Sequence, residues 1–380
     1  MKDSASAGGV DSVVHGGTTT NSKPWNSGGS SAGSHVLVRR VMLIALPFIG
    51  IAVLWICQYN SATSFGFPAI SSYFNPASLK HFEENYDPKL ESILKNASME
   101  QKTVIITTLN DAWAEPGSIF DLFLESFRIG NQTKKLLRHL VVITWDQPAH
   151  ARCTALHPYC YLLETKGDNF TSEAFFMTSD YLHMMWKRIE FLGTVLQMGY
   201  SFVFTDTDIM WFRDPFPQFF EDGDFQIACD FFRGNSYDLN NNPNGGFTYV
   251  KSNTRTIRFY SFWFTSRQIY PGKHDQDVFN IIKGHPFISL IGLKIRFLST
   301  AYFGGFCQPS QDFNQVCTMH ANCCIGIDSK VDDLILLLED WRKYMALPEN
   351  DKKNSHPSWS PPRSCRTSWS RGNKKKSKGR

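Results

Sequence analysis

The sequence feature that most constrains the fold is a repeated alternation of apolar strands with amphipathic helices. Thr103 to Thr108 reads TVIITT and Leu140 to Trp145 reads LVVITW, both uninterrupted runs of the kind that buried parallel strands show. Between them, apolar residues recur at helical spacing from Ile119 to Phe127, and Gly130 is a stop signal. Strand, helix and strand in this order predict a βαβ unit.

The same alternation continues along the chain. Ser118 and Asp121 resemble a capping box for the first helix, and Ser179 or Asp180 is expected to cap a second helix that ends at Gly199. Further elements are expected as strands near 202–204, 226–229 and 247–250 and as helices near 276–283 and 331–344. The pattern predicts an α/β sandwich with a mixed, mostly parallel sheet, in which ligands bind beyond the carboxyl ends of the strands.

An uncharged apolar run at residues 41–59 is long enough to span a bilayer, because at about 1.5 Å per residue it reaches roughly 28 Å. A cleaved signal peptide and a buried core helix are the alternatives, but the run lies well inside the chain, after Gly/Ser/Thr-rich polar sequence. Arg39 and Arg40 precede the run, and the next basic residue is Lys80. The positive-inside rule therefore predicts a type II signal-anchor, with the N-terminus in the cytosol and the remainder in a lumen.

Two further patterns suit a luminal chain. Asn96, Asn131 and Asn169 each begin an acceptor triplet for N-glycosylation. Eight cysteines follow the apolar run, an even number compatible with disulfides, and their spacings lack the paired CxxC pattern of a zinc site. We therefore expect disulfides, without a connectivity that the sequence can supply.

Charge is distributed unevenly. The chain carries a formal +4, of which residues 351–380 contribute +9 (ten Lys or Arg against one Asp) and residues 1–40 contribute +2, leaving −7 for residues 41–350. The folded part is thus acidic, which argues against a nucleic-acid groove. Residues 1–40 are expected to be a disordered tail and residues 60–100 a stem, and the basic segment 346–380 is also expected to be disordered.

Two carboxylates follow the predicted strand in the stretch SFVFTDTDIMWFRD. Asp206 and Asp208 repel each other and are costly to bury unless a cation lies between them, which suits Mg²⁺ or Mn²⁺ bound through oxygen. An isolated Asp-x-Asp is a weak motif, and a polar turn is the simpler alternative. A phosphatase-type strand end is disfavoured because Met210 stands where that motif has a threonine-like residue.

His320, in the segment CTMHANCCIG, is a candidate third ligand, since an imidazole favours Mn²⁺. A lone histidine is more often structural. Lys330 follows near the start of a predicted helix, where its charge suits a diphosphate.

Four segments carry a resemblance, in the order FTDTDIMWFRDPF, NPNGGFTYVKSN, PGKHDQDVFN and TMHANCC. With them, residues 101–345 resemble the plant nucleotide-diphospho-sugar transferase family, glycosyltransferase family 77, which includes Golgi arabinosyl- and xylosyltransferases of wall glycoproteins and pectin. The resemblance implies a GT-A domain at 101–345, a metal held by Asp206, Asp208 and His320, a nucleotide-sugar donor and a Golgi location.

The more distant glycogenin-like transferases imply roles for further residues. By this resemblance Thr107, Asn110 and Trp113 contact the nucleoside, although an extra Leu109 shifts that loop. The resemblance implies that Asn244, Gly245 and Gly246 contact the donor sugar and that Asp275 and Gln276 are the catalytic positions. It also implies a donor-binding role for Lys330, and Lys187 is a further candidate to assist the leaving diphosphate. Asp275 is the implied group near the anomeric carbon, and a helix N-cap is its structural alternative.

The function implied is metal-dependent transfer of a sugar from a UDP-sugar to a wall glycoprotein or polysaccharide, with retention of configuration. Arabinose, xylose and galactose all remain open as the sugar. The alternatives are a non-catalytic glycan-binding protein with the same fold, against which the intact metal ligands speak, and a metal-dependent phosphohydrolase, which has no need of Asn244 or Asp275.

Overall fold

The computed structural model describes residue 82 and residues 86–163, 178–354 and 357–378, with side chains up to Arg371. The predicted span at 41–59, the N-terminal tail and Asn169 lie outside these residues. Within the described ranges, no helix combines the length and the apolar composition that crossing a bilayer requires.

A seven-stranded sheet forms the centre of the fold, in the order β3-β2-β1-β4-β7-β6-β8. Its strands are β1 (Thr103–Leu109), β2 (Leu140–Thr144), β3 (Cys160–Leu162), β4 (Ser201–Thr205), β6 (Phe225–Phe231), β7 (Asn242–Val250) and β8 (Ile295–Phe297). The four strands from β3 to β4 run parallel, β7 is antiparallel to both of its neighbours, and β8 is parallel to β6. The predicted mixed, mostly parallel sheet is therefore confirmed.

A smaller three-stranded sheet lies beyond the carboxyl end of β4. It consists of β5 (Ile209–Trp211), β9 (Phe303–Gly305) and β10 (Thr318–His320), with β10 in the middle. β10 pairs antiparallel with β5, and His320 stands opposite Ile209. This register brings residues far apart in the chain to the end of the central strand.

Helices cover both faces of the large sheet. They are α1 (Pro88–Ala97), α2 (Asp111–Ala114), α3 (Ile119–Ile129), α4 (Gln147–Leu156), α5 (Ser179–Gln197), α6 (Thr254–Ser266), α7 (Asp275–Ile282), α8 (Pro286–Leu290), α9 (Ile327–Met345), α10 (Glu349–Asn354) and α11 (Arg363–Lys378). Helices α1, α5, α6 and α7 pack on the face that includes Val104 and Ile106, whereas α3 and α9 pack on the face that includes Ile105. Alternate residues of β1 thus enter opposite cores, as a strand buried on both faces requires.

Local signals differ from the predictions at the helix ends. The side chain of Ser118 makes no capping hydrogen bond, and Asp121 instead accepts from the Gly117 N–H, at 2.7 Å, and from Arg152. Thr178, rather than Ser179, caps α5 through its side chain. The prediction of a disordered basic tail is wrong for residues 363–378, which form α11.

Three disulfides join six of the eight cysteines that follow the apolar run: Cys153–Cys160, Cys307–Cys323 and Cys324–Cys365. These six cannot act as zinc thiolates. Cys229 and Cys317 are buried free thiols, and burial raises the pKa of each to about 12.

Candidate active site

Asp206 and Asp208 lie directly beyond the end of β4. The backbone N–H of Asp206 donates to the Gly246 carbonyl at 2.7 Å, and the Ile209 N–H donates back to the Asp206 carbonyl, which turns the chain into β5. The carboxylate of Asp206 is 28% exposed and that of Asp208 only 2%. The end of β4 therefore places one partly exposed carboxylate and one buried carboxylate close together.

His320 completes a group of three side chains that could hold a metal ion. One ligand atom from each of Asp206, Asp208 and His320 lies within 4.8 Å of the others. His320 Nε2 is 3.2 Å from Asp208 Oδ1, but the approach lacks hydrogen-bond geometry, and that oxygen is buried with no hydrogen-bond partner among the described residues. A buried carboxylate oxygen without a donor is costly, and a divalent cation bound between these ligands would satisfy it.

Lys330 neutralises part of the negative charge. Its Nζ donates to Asp208 Oδ2 and to the Ala321 carbonyl, and lies 5.4 Å from the centre of the Trp113 ring. Burial acts to raise the pKa of Asp208, but Lys330 and His320 outweigh it and hold that pKa below its usual range. Burial likewise acts to lower the pKa of His320, and Asp208 raises it by more. Asp208 is therefore a carboxylate at neutral pH.

Arg188 joins two of the acidic residues. Its guanidinium, 7% exposed, donates to Asp206 Oδ1 at 3.0 Å and to Asp275 Oδ2 at 2.6 Å. Burial acts to raise the pKa of Asp275, but Arg188 and then His274 outweigh it and lower that pKa to about 2. Arg188 thus joins the start of α7 to Asp206 through a buried ion pair.

Gly246 leaves no room for a larger side chain. A Cβ on Gly246 would stand 2.6 Å from Asp206 Oδ2 and 2.8 Å from His320 Cε1, whereas a Cβ on Gly245 would meet nothing closer than 3.9 Å. The glycine at 246 therefore permits the backbone of β7 to approach the carboxylate closely.

Asn244 and Gln276 hold this backbone in place. Asn244 Oδ1 accepts from the Gly246 N–H and Asn244 Nδ2 donates to Asp230 Oδ1, both at 2.9 Å. Gln276 Oε1 accepts from the Gly245 N–H at 2.9 Å. Sequence reasoning missed Asp230, which follows no recognisable motif but ends up beside the predicted Asn-x-Gly segment.

A cavity of ≈ 110 Å³ opens beside Asp206, and aromatic side chains form much of its wall. Residues that line it include Asn110, Trp113, Trp145, Tyr181 and Arg188. Aromatic walls next to fixed charges suit a planar base joined to phosphates. The structure therefore brings the predicted Asn110 and Trp113 to the same cavity as Asp206.

Thr107 does not line this cavity. Its side chain is fully buried, with a hydroxyl that has no hydrogen-bond partner among the described residues, whereas Thr108 faces the cavity. Successive side chains of a strand point to opposite faces, so a shift of one residue in the predicted loop exchanged the two threonines.

Lys187 likewise does not lie at the group of Asp206, Asp208 and His320. Its Nζ pairs with Glu190 at 3.1 Å and its side chain lines a different cleft, of ≈ 380 Å³, next to Leu90. The neighbouring Arg188 lies at the site instead, and sequence reasoning missed it. Its position among Met185, Ile189 and Leu192 on the buried face of α5 is a signal that would have found it.

Asp275 is the first residue of α7 and not its N-cap, which is His274. One carboxylate oxygen accepts from Arg188, and the other lies 3.3 Å from His274 Nδ1. The alternative of a capping role is therefore wrong, and the implied role of Asp275 near the anomeric carbon stays a prediction.

The two described glycosylation triplets differ in exposure. Asn96 is exposed near the end of α1. Asn131 is half-buried, its N–H donates to the Phe212 carbonyl at 2.8 Å, and Thr133 of the same triplet is fully buried with its hydroxyl on the Phe127 carbonyl.

Comparison with known proteins gives the class. Residues 135–334 match the family model described as nucleotide-diphospho-sugar transferase. The chain is 50% identical over 297 residues to Uncharacterized protein At4g15970 of Arabidopsis thaliana, covering 78% of each. It is 39% identical over 287 residues to Uncharacterized protein At1g28695 of the same plant, covering 74% of this chain and 84% of that protein.

Among solved structures, mouse xyloside xylosyltransferase 1 in its apo form aligns at 12% identity with a TM-score of 0.33, covering 58% of this chain and 98% of that one. A TM-score of 0.33 is too low to support an inference about this chain. The family match and the acidic group at the strand end together define a glycosyltransferase that uses nucleotide sugars. The chain belongs to the nucleotide-diphospho-sugar transferase family.

Proposed function

We propose that this glycosyltransferase is metal-dependent and moves a sugar from a UDP-sugar to a cell-wall glycoprotein or polysaccharide. The metal dependence is inferred from one observation. Asp206, Asp208 and His320 form a group in which Asp208 Oδ1 is buried and has no hydrogen-bond partner among the described residues. Two carboxylates and one imidazole are a donor set that fits Mn²⁺ or Mg²⁺, with the imidazole favouring Mn²⁺. When bound, the cation supplies a Lewis acid that offsets the charge developing on the leaving diphosphate.

Residues of the chain provide the remaining contacts in this proposal. Asn110 and Trp113 hold the nucleoside in the aromatic cavity, and Lys330, which borders Trp113, offers its positive charge to the diphosphate. The backbone at Gly245, where an added Cβ would meet nothing closer than 3.9 Å, offers an open face toward the sugar, whereas Gly246 sets the close approach of β7 to Asp206. These roles divide the site into a base pocket, a phosphate region and a sugar region.

Asp275 has a positioning role rather than a direct one. Its carboxylate is 2% exposed and engaged by Arg188 and His274, so it has little access to an anomeric carbon. We assign it to holding Arg188, which in turn orients Asp206. With retention of configuration, this burial favours same-face attack by the acceptor over a covalent intermediate on Asp275.

The proposed location is the Golgi membrane, in a single-pass type II arrangement with the transferase domain in the lumen. Three disulfides support an oxidising compartment. An endoglycosidase shift of the expressed chain that becomes smaller in Asn96→Gln is expected, because Asn96 is exposed. An unglycosylated chain degraded by protease on intact microsomes would contradict a luminal domain.

The proposed activity is tested by incubating the purified full chain with UDP-arabinofuranose, UDP-xylose and UDP-galactose in Mn²⁺ and measuring released UDP. One donor is expected to give turnover that Asp208→Asn lowers on the order of 100-fold and that Lys187→Gln leaves intact, since Lys187 is paired elsewhere. Release of UMP and sugar 1-phosphate from the donors instead of UDP would indicate a phosphohydrolase that cleaves the diphosphate. The anomeric coupling of the product in NMR reports retention.

A further inference from the structure

The C-terminal helix α11 is covalently linked to the loop that follows β10, the strand that contains His320. Cys365 of this helix forms a disulfide with Cys324, and its N–H donates to Asp333 Oδ2 on α9 at 2.7 Å. The Ile325 N–H donates to Ser368 Oγ at 3.1 Å. A covalent bond and two hydrogen bonds thus fix one side of α11 against the folded domain.

This attachment places α11 at the border of the candidate site. Cys324 lies four residues after His320 in the chain, and α9, on which α11 packs, carries Lys330 in its first turns. The same loop is held from its other side by the Cys307–Cys323 disulfide. A ligand bound along α11 is therefore close to the loop that connects His320 to the helix containing Lys330.

The charge of α11 is entirely positive. Its sequence RSCRTSWSRGNKKKSK contains three arginines and four lysines and no acidic residue. Arg363, Arg366 and Arg371 are exposed, whereas Cys365 faces the domain and is fully buried. Since residues 41–350 carry a net −7, this helix is a local basic surface on an otherwise acidic protein.

Trp369 adds an aromatic surface to the same helix. It is 40% exposed and lies between Arg366 and Arg371 in sequence. An exposed indole offers a flat apolar face that suits the C–H face of a sugar ring, and arginine forks bind carboxylates through two parallel hydrogen bonds.

We propose that α11 is a docking surface for an acidic polysaccharide whose charges are carboxylates. Charge complementarity selects a polyanion, and the Trp–Arg combination selects one built of sugar rings. A membrane surface is less well matched, because interfacial helices need a broad apolar face, and among the described side chains of α11 Trp369 is the one large exposed apolar residue. The surface holds the polymer beside the site that would modify it.

Docking is tested by the binding of the full chain to polygalacturonate, which requires neither donor nor metal. The triple variant R363Q/R366Q/R371Q is expected to bind about tenfold more weakly at low salt, from the modest worth of each exposed ion pair. The control K95Q/R128Q/K134Q removes the same charge from exposed positions on α1, α3 and the turn that follows α3, and should bind as the unaltered chain does. Trp369→Ala is expected to weaken binding to polygalacturonate without changing its salt dependence.

Three results would overturn the proposal. They are equal losses in the two triple variants, retention on fully methyl-esterified polygalacturonate as strong as on the acidic form, and preferential binding to phosphatidylserine vesicles. Because the measurement is of binding alone, a failure here leaves the metal and the donor untouched, and an inactive transferase that still binds polygalacturonate through α11 would separate the two proposals.

Discussion

Arg188→Met removes the cation that joins the two acidic sides of the site. In the folded chain this guanidinium is 7% exposed and contacts Asp206 and Asp275, and the carboxylate of Asp275 is 2% exposed. Methionine has a similar length and no charge. The variant therefore leaves the buried Asp275 without a guanidinium, with His274 still 3.3 Å from its carboxylate, while the more exposed Asp206 regains water.

The expected cost is large because a buried charge loses its partner. Removing one member of a buried ion pair costs about 3–5 kcal/mol. The pKa of Asp275 gives a second figure. Burial acts to raise this pKa, but Arg188 is the main cause that lowers it from 3.8 to about 2. The shift corresponds to about 2 kcal/mol of stabilisation of the folded chain by the ionised carboxylate. This stability is present above pH 3.8 and is lost as the pH falls toward 2. In Arg188→Met burial raises the pKa of Asp275, so the penalty should shrink between pH 7 and pH 4.5.

The assay is urea denaturation of the chain and its variants at both pH values. We expect Arg188→Met to lose about 3 kcal/mol at pH 7 and clearly less at pH 4.5, with part of the loss restored by adding Asp275→Asn. Arg342→Gln is the matched control, because its pair with Glu125 is 44% and 40% exposed and is worth under about 1 kcal/mol. A loss in Arg188→Met no greater than in Arg342→Gln, or one independent of pH, would refute the reasoning.

Two further pairs of substitutions test the geometry and the charge of the site. Gly246→Ala should abolish UDP-sugar turnover while the chain remains folded, because its Cβ would lie 2.6 Å from Asp206 Oδ2. Gly245→Ala should stay active, because its Cβ would meet nothing closer than 3.9 Å. Equal activity of the two variants would contradict the close approach of Gly246 to Asp206. Lys330→Gln should lower turnover by about tenfold or more through the loss of its charge at the diphosphate, whereas Lys187→Gln should not, and the reverse order in a steady-state assay would return the donor role to Lys187.

Much of the fold was readable from the sequence because the strands are buried on both faces. β1 and β2 appear as uninterrupted apolar runs, and the helix between them ends at the predicted Gly130. The position of the Asp-x-Asp at the end of β4 was predictable for the same reason, although the motif alone left a polar turn as the simpler alternative to a metal site. Helix caps were less predictable because side chains such as Asp121 find partners from distant parts of the chain.

Two of the site residues that escaped prediction, Arg188 and Thr108, did so by a single position. In a helix one residue is a rotation of about 100°, so Lys187 faces a different cleft while Arg188 reaches Asp206. In a strand one residue reverses the face, which exchanges Thr107 for Thr108. The contact of His320 with Asp208 depends on the antiparallel register of β10 with β5, which no local pattern in the sequence fixes; here the family resemblance supplied what spacing could not.

The most direct test of the account is the rate of UDP release from the preferred UDP-sugar, measured for the purified full chain and for Asp208→Asn, with Mn²⁺ and with excess EDTA. The account predicts turnover in Mn²⁺ that EDTA abolishes and that Mn²⁺ restores, and a loss on the order of 100-fold in Asp208→Asn. Equal turnover with and without EDTA, unchanged in Asp208→Asn, would contradict it.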